Sequence, residues 1–178
     1  MEKLLNWDAS ISQRLRVAEK PSNLRRAAMF FAHSGDSWFW LLALALVGWL
    51  GTSFWRWRMI TFGIGVLATA VLVMIVKFTV RRRRPEGEWG GIYRSTDPHS
   101  FPSGHAARSM MLATMAVILG PPWFAIVLVI WAPLVALARV AMGVHYFSDV
   151  FVGGLFGVFM GWIMSSITVG LLIANAAL

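Results

Sequence analysis

The feature that most constrains this sequence is a series of long apolar stretches separated by short polar segments. The stretch that begins at Met59 has no charged residue before Lys77, and the one that begins at Ser148 has none after Asp149. A helix needs about 20 consecutive apolar residues to cross a bilayer. Hydrophobic residues make up 58% of the 178 residues and charged residues 13%, unlike an average soluble protein. The pattern therefore predicts an all-α integral membrane protein.

Aromatic and basic residues mark the ends of five candidate membrane spans. We predict spans at residues 38–54, 59–80, 102–120, 123–138 and 148 to near the C-terminus. The predicted fold of residues 1–178 is one membrane-embedded domain, a bundle of about five transmembrane helices whose transmembrane core is residues 37–178.

The N-terminal segment, residues 1–34, mixes charged and apolar residues. Its apolar residues recur at roughly helical spacing up to Val17, which predicts an amphipathic helix lying in the membrane interface. Pro21 and Ser22 indicate that a second short interfacial helix begins near Leu24. A cytosolic tail is the alternative.

The formal net charge of +8 restricts the partners of this chain. The basic residues flank apolar stretches, at the N-terminus, at Arg56 and Arg58, and in residues 81–84. Anionic lipid headgroups and an anionic substrate account for that distribution, so we predict a bilayer partner and no nucleic acid. The sequence contains no cysteine, which excludes disulfides and thiolate chemistry.

Three polar clusters stand where apolar stretches begin or end. They are Lys77 with Arg84 and Pro85; Pro102, Ser103, Gly104 and His105; and Arg139, His145 and Asp149. Ionisable groups near membrane depth are costly and by default indicate function. If the spans alternate in direction, all three clusters lie on one membrane face.

Together the clusters have the composition of a phosphoryl-transfer site. Lysine and arginine bind phosphate oxygens, and the turn at Ser103 and Gly104 exposes donors at the start of a helix. Taken singly, the first cluster is also explained as a basic run flanking the membrane, and the second as a serine N-cap. Their joint occurrence favours a site. Within residues 81–84 we predict that only Arg84 points inward, the others reaching headgroups.

His145 and Asp149 are four residues apart and share one helix face, so the carboxylate can orient the imidazole while its other nitrogen attacks. Such a pair is also half of a metal site. The carboxylates and histidine of residues 86–99 form no recognisable ligand spacing, however, so we predict no metal and no cofactor.

In this order the three clusters resemble the signature of the type-2 phosphatidic acid phosphatase superfamily, lipid phosphate phosphatases that share a core with vanadium haloperoxidases. The resemblance implies metal-independent hydrolysis in two steps. His145, oriented by Asp149, would form a phosphohistidine, His105 would protonate the leaving group, and water would release phosphate. The phosphate-binding groups would be Lys77, Arg84, Ser103, Gly104 and Arg139. The family usually has Ser before the last arginine, where this chain has Ala138.

The resemblance also implies a substrate class. Small chains of this plan resemble isoprenyl diphosphate phosphatases, so a lipid phosphate such as undecaprenyl diphosphate is the favoured substrate. Phosphatidylglycerophosphate, phosphatidate and lipid A phosphates are alternatives, as is a lipid phosphotransferase with the same site. An anion-binding transporter or scaffold is the alternative without catalysis. Candidate residues for the substrate entrance are Trp89, Tyr93, Phe101 and Tyr146.

Residues Asp149, Gly153, Gly157, Gly161 and Ser165 recur every four positions and form a stripe of small side chains. Such a stripe lets another helix approach closely. We favour packing within the chain, with a dimer interface as the alternative, so the protein is a monomer or a homodimer. We expect a multi-pass protein of the cytoplasmic membrane with its site on the extracytoplasmic face, although the basic N-terminal segment would draw that face inward.

Overall fold

The computed structural model describes residues 2–19, 21–86 and 97–176. Within that part of the chain all regular elements are helices, apart from one isolated β-bridge between Arg83 and His99. The helices are α1 (Glu2–Arg14), α2 (Asn23–Ser34), α3 (Ser37–Leu50), α4 (Ser53–Val80), α5 (Gly104–Leu119), α6 (Pro122–Ala141) and α7 (Phe147–Ala176). The predicted all-α membrane fold is confirmed.

Fewer helices than predicted have the full length of a membrane span. Helices α4 and α6 and the segment Phe147–Ala174 of α7 are long and apolar enough, whereas α2 and α3 qualify only as a pair bent by 59°. Helix α5 is apolar, but its 16 residues extend only about 24 Å, less than the roughly 30 Å of the hydrocarbon core. Among the residues that the structure describes there are thus three such spans, or four with the bent pair, where five were predicted.

The boundary between the first two predicted spans is also displaced. Helix α3 ends at Leu50 and α4 begins at Ser53, with Gly51 and Thr52 extended between them. Arg58, expected in the link, therefore lies inside α4. Its Nε donates to the carbonyl oxygen of Leu119 at 2.6 Å, which ties the start of α4 to the end of α5.

Helix α5 lies at the centre of the bundle, in contact with α4, α6 and α7. Its contact with α7 runs along the small-residue stripe. A Cβ atom added at Gly153, Gly157 or Gly161 would lie 2.6, 2.0 or 2.7 Å from a backbone oxygen of the 103–111 segment. The stripe therefore packs within the chain, as favoured, and this close approach brings the start of α7 beside Ser103.

Both helices predicted in the N-terminal segment are present. The Ser22 side chain caps α2 by accepting a hydrogen bond from the Arg25 amide at 3.1 Å. Ala28 and Ala32 of α2 are buried in a cluster that also includes Ala138. The segment therefore packs against the core at the end of α6, while its position in the membrane interface stays a prediction.

Candidate active site

The three predicted clusters meet at one end of the bundle. Helices α4 and α6 end there and α5 and α7 begin there, so that Lys77, Ser103, Arg139 and Asp149 stand in or next to the terminal turns. All four are buried. The Ser103 amide donates to the carbonyl oxygen of Asp149 at 2.9 Å, which joins the second cluster to the third.

His145 lies between a carboxylate and a guanidinium. Its Nδ1 is 3.5 Å from Oδ2 of Asp149, and its Nε2 is 3.2 Å from Nη1 of Arg84. Because arginine only donates, Nε2 is assigned the lone pair and Nδ1 the proton. Burial, followed by the positive charges of Arg139, Arg84 and Lys77, holds the pKa of His145 well below its ordinary value. The imidazole is therefore neutral, with its lone pair directed towards the cations.

Lys77 and Arg84 converge on the carboxylate of Asp97. Nη2 of Arg84 donates to Oδ2 at 2.8 Å, and Nζ of Lys77 donates to the same oxygen. Burial would raise the pKa of Asp97, but these two cations outweigh it and lower that pKa. The two side chains predicted to bind one phosphate thus already bind one anionic oxygen together.

The second cluster opens α5 as predicted. Ser103 is the N-cap, and its Oγ accepts a hydrogen bond from the Ala106 amide at 3.5 Å. His105 follows in the first turn, with Nε2 2.8 Å from Oδ1 of Asp36 at the start of α3. Arg139 interacts electrostatically with both His105 and His145, so the two imidazoles share one cationic neighbour.

The prediction that only Arg84 of the basic run points inward is wrong. Nη1 of Arg82 donates to Oδ1 of Asp149 at 2.6 Å, and burial is outweighed by Asp149 and Asp8, which raise the pKa of Arg82. The cause is local, because α4 ends at Val80 and its C-cap residue, Arg81, has a left-handed conformation with φ 53°. The isolated bridge at Arg83 indicates extended backbone there, and the residues on either side of it, Arg82 and Arg84, then face the same side.

Helix α1 also reaches the site. Asp8 and Ser12 share one face of α1; Oδ1 of Asp8 accepts the Ser148 amide at 2.9 Å, and Oγ of Ser12 accepts the Phe147 amide at 2.8 Å. These two amides belong to the first turn of α7 and have no partners within their own helix. An interfacial helix was predicted here, but not its role in capping the helix that carries Asp149.

A cavity of about 280 Å³ opens beside His145. Helix α1 forms one of its other walls. The remaining lining residues include Arg16, Glu86, Gly143 and Tyr146. Of the aromatic residues predicted at the entrance, Tyr146 lines this cavity, whereas Trp89 and Tyr93 lie outside the described residues. The cavity therefore reaches His145, which is otherwise buried.

A family model described as the PAP2 superfamily matches residues 58–171. This chain belongs to that superfamily. The matched PAP2 region includes all three clusters and leaves out α1, α2 and α3, which supply Asp8 and Asp36.

Named PAP2 relatives are similar over most of the chain. Decaprenylphosphoryl-5-phosphoribose phosphatase of Mycobacterium tuberculosis is 30% identical over 152 residues, covering 85% of this chain and 84% of the relative. Undecaprenyl-diphosphatase of Sulfolobus acidocaldarius is 31% identical over 142 residues, covering 76% of this chain and 66% of that relative. The protein is accordingly a PAP2-type lipid phosphate phosphatase.

Solved structures support the same fold. The transmembrane PAP2-type phosphatidylglycerolphosphate phosphatase from Bacillus subtilis superposes with a TM-score of 0.72 at 22% identity, covering 94% of this chain and 87% of that one. LpxE of Aquifex aeolicus superposes with a TM-score of 0.69 at 23% identity, covering 87% of this chain and 92% of LpxE. Together with the apolar helices, these likenesses support a multi-pass membrane protein.

Proposed function

We propose that this phosphatase hydrolyses an isoprenyl lipid phosphate, with undecaprenyl diphosphate as the favoured substrate, through a phosphohistidine on His145. The observation that carries the mechanism is the position of His145, whose Nε2 lies 3.2 Å from a guanidinium that also binds a carboxylate oxygen. The names of the similar proteins support the substrate class, because they include phosphatases of decaprenyl and undecaprenyl lipids.

In the first step Nε2 of His145 attacks phosphorus, and the bond between phosphorus and the leaving oxygen breaks. His105 donates a proton to that oxygen. Asp149 stabilises the positive charge that develops on His145. Phosphoryl transfer depends mainly on positioning and on charge stabilisation. Lys77, Arg84, Arg139, the Ser103 hydroxyl and the Gly104 amide supply this stabilisation to the other phosphate oxygens.

In the second step a water attacks the phosphohistidine. His105, now neutral, accepts a proton from that water while the bond between phosphorus and nitrogen breaks. Inorganic phosphate leaves, His145 is neutral again, and His105 is protonated for the next cycle. The substrate phosphate takes the position next to Arg84 and Lys77, which the Asp97 carboxylate holds in its absence.

We further propose that the protein lies in the cytoplasmic membrane with this site on the extracytoplasmic face. Single cysteines introduced between residues 86 and 100 of this cysteine-free chain, followed by labelling of intact cells with an impermeant maleimide, test the orientation. Labelling only after the cells are permeabilised would place the site on the cytoplasmic side.

The activity is tested with purified protein in detergent and a chelator. Undecaprenyl diphosphate, phosphatidylglycerophosphate, phosphatidate and lipid A are assayed side by side for phosphate release, and a phosphate-labelled substrate is quenched rapidly to trap an acid-labile, base-stable adduct. The His145→Ala variant is expected to lose both turnover and adduct. The control is His99→Ala, because the His99 ring packs edge-to-face against Phe78 and the contact of its backbone carbonyl with Lys77 is retained.

Near-wild-type rates in His145→Ala would refute the catalytic assignment. Faster phosphate release from one of the other three lipids would make that lipid the substrate in place of undecaprenyl diphosphate. If release of the first product depends on an added lipid hydroxyl acceptor, the enzyme is a phosphotransferase. If the anion binds but no lipid is turned over, the protein is a transporter or scaffold.

A further inference from the structure

The partner of His105 comes from a distant part of the chain. Oδ1 of Asp36 lies 2.8 Å from Nε2 of His105, across 69 residues of sequence. Asp36 is the N-cap residue of α3, but its side chain makes no capping hydrogen bond to that helix. The carboxylate is therefore directed to the imidazole and not to its own helix.

The turn between α2 and α3 fits closely against the same imidazole. A Cβ atom added at Gly35 would lie 3.2 Å from Cδ2 of His105 and 2.6 Å from Cγ1 of Val135. A side chain at position 35 would push this turn away from α5 and α6. The absence of one lets the carboxylate of Asp36 reach Nε2.

Charges of both signs act on His105. Arg139 on α6 and Arg108 on α5 face it as cations, while Asp36 faces it as an anion. His33 on α2 lies behind Asp36, with Nδ1 3.5 Å from its other oxygen. Burial comes first and, with the positive neighbours, opposes a protonated imidazole, whereas the hydrogen-bonded carboxylate of Asp36 favours it. A general acid surrounded by phosphate-binding cations needs such a compensating charge.

We propose that Asp36 is a positioning residue for His105. It binds the proton on Nε2, leaves Nδ1 to transfer a proton to the leaving oxygen, and stabilises the protonated ring that this step requires. The proposal rests on the proposed function of His105 as the acid. The site then contains two imidazole–carboxylate pairs with opposite tasks, since Asp149 faces a neutral nucleophile and Asp36 a protonated acid.

The test uses Asp36→Asn and two substrates that differ in leaving group. Phosphatidate releases an alcohol that must be protonated, whereas 4-nitrophenyl phosphate releases a phenolate that needs no proton. General acid catalysis contributes roughly 10²- to 10⁴-fold. We expect kcat for phosphatidate to fall about 10- to 100-fold with KM little changed, and kcat for the aryl ester to fall less than about threefold.

The pH profile gives a second measurement. The alkaline limb of kcat for phosphatidate, which reports loss of the proton from His105, is expected to move to lower pH in Asp36→Asn, and Asp36→Glu is expected to restore part of the rate and the limb. His33→Gln is the matched control, because it removes the other imidazole that lies next to Asp36. The His33 side chain is 55% exposed. His33→Gln is expected to retain wild-type kcat and pH dependence.

Equal loss on both substrates, or an unshifted alkaline limb, would overturn the positioning role and leave only a structural one. The variant Asp36→Asn combined with His105→Ala is expected to be no slower than His105→Ala alone, since the two residues act in one step. The proposed function is refuted by a different result. That result is an active His145→Ala protein, or a His105→Ala protein that does not lose more kcat on phosphatidate than on 4-nitrophenyl phosphate. If both of those behave as expected and Asp36→Asn does not, only this inference is wrong.

Discussion

Asp8 and Arg82 are 74 residues apart in sequence, and Oδ2 of Asp8 accepts a hydrogen bond from Nη2 of Arg82 at 2.7 Å. The other terminal nitrogen of Arg82 binds Asp149, so one guanidinium joins the N-terminal helix to the carboxylate that faces His145. Asp8 also caps α7 through the Ser148 amide. The position of Asp149 therefore depends on α1, a helix outside the PAP2 match.

Replacing Asp8 tests this dependence. Asp8→Ala leaves the Ser148 amide and one side of Arg82 without their acceptor, and unsatisfied buried groups cost about 1–3 kcal/mol each. We expect a lower midpoint of thermal unfolding in detergent, and a kcat that falls more than KM changes. Lys3→Gln, an exposed charge change on the same helix, is the control. Wild-type kcat in a folded Asp8→Ala protein would show that α1 does not position the site.

We predict that Asp97 competes with phosphate for Lys77 and Arg84, because its carboxylate binds both of them. Asp97→Asn removes the negative charge that Lys77 and Arg84 bind in the free enzyme, so an incoming anion no longer has to displace it. A charge-assisted hydrogen bond contributes about 1.5 kcal/mol, which corresponds to roughly a tenfold change in affinity. We therefore expect phosphate and vanadate to inhibit Asp97→Asn with inhibition constants roughly tenfold lower than those of the wild type.

The matched control for Asp97 is Glu86→Gln, which removes a carboxylate that lines the cavity beside His145. If both variants tighten vanadate binding equally, the effect comes from net charge near the site. If neither does, the carboxylate of Asp97 is not displaced by the anion, and the contacts of Lys77 and Arg84 with it are structural.

The convergence of the three clusters could be predicted because Lys77, Ser103 and Arg139 stand at helix ends that hydropathy reveals. Lys77 follows a long uncharged run. The His145 and Asp149 pair has helical spacing, but the prediction that both lie on one helix is wrong, because α7 begins at Phe147 and His145 precedes it. The residues that hold them in place could not be found in this way, because Asp8 and Asp36 reach the site across 74 and 69 residues. For Arg82 a local signal exists, the alternation of an extended chain, but a run of four arginines conceals it.

The neutral state of His145 predicts a specific acid sensitivity. Because the pKa of His145 is lowered in the folded protein, the unfolded chain takes up this proton first as the pH falls. The stabilising contribution is present above the ordinary pKa of about 6.5 and is lost as the pH falls below it. We expect the wild type to lose more unfolding free energy than His145→Gln between about pH 7.5 and about pH 5.

The same lowered pKa affects catalysis. The acid limb of kcat/KM, which reports protonation of the nucleophile in the free enzyme, is expected below pH 6.5. With the alkaline limb from His105, the profile is bell-shaped. A rate independent of pH between about 5 and 9 would contradict the pairing of a neutral His145 with a protonated His105.

Gly157 tests the contact that brings the second and third clusters together. A Cβ at Gly157 would lie 2.0 Å from the carbonyl oxygen of Ala107, a backbone atom that cannot move aside without shifting α5. Overpacking of this kind costs typically about 1–3 kcal/mol, occasionally more. Gly157→Ala is therefore expected to lower the unfolding midpoint. It should also lower kcat, because the shift separates Ser103 on α5 from Asp149 on α7.

Gly170 is the matched control on the same helix, since nothing lies within 4 Å of a Cβ added there. Gly170→Ala is expected to stabilise the protein by about 0.5–1 kcal/mol, because alanine loses less conformational entropy than glycine in a helix. The two glycine-to-alanine substitutions are thus expected to change the free energy of unfolding in opposite directions. A Gly157→Ala protein that is as stable as wild type but has lost a dimer would instead assign the stripe to an interface between two copies of the chain.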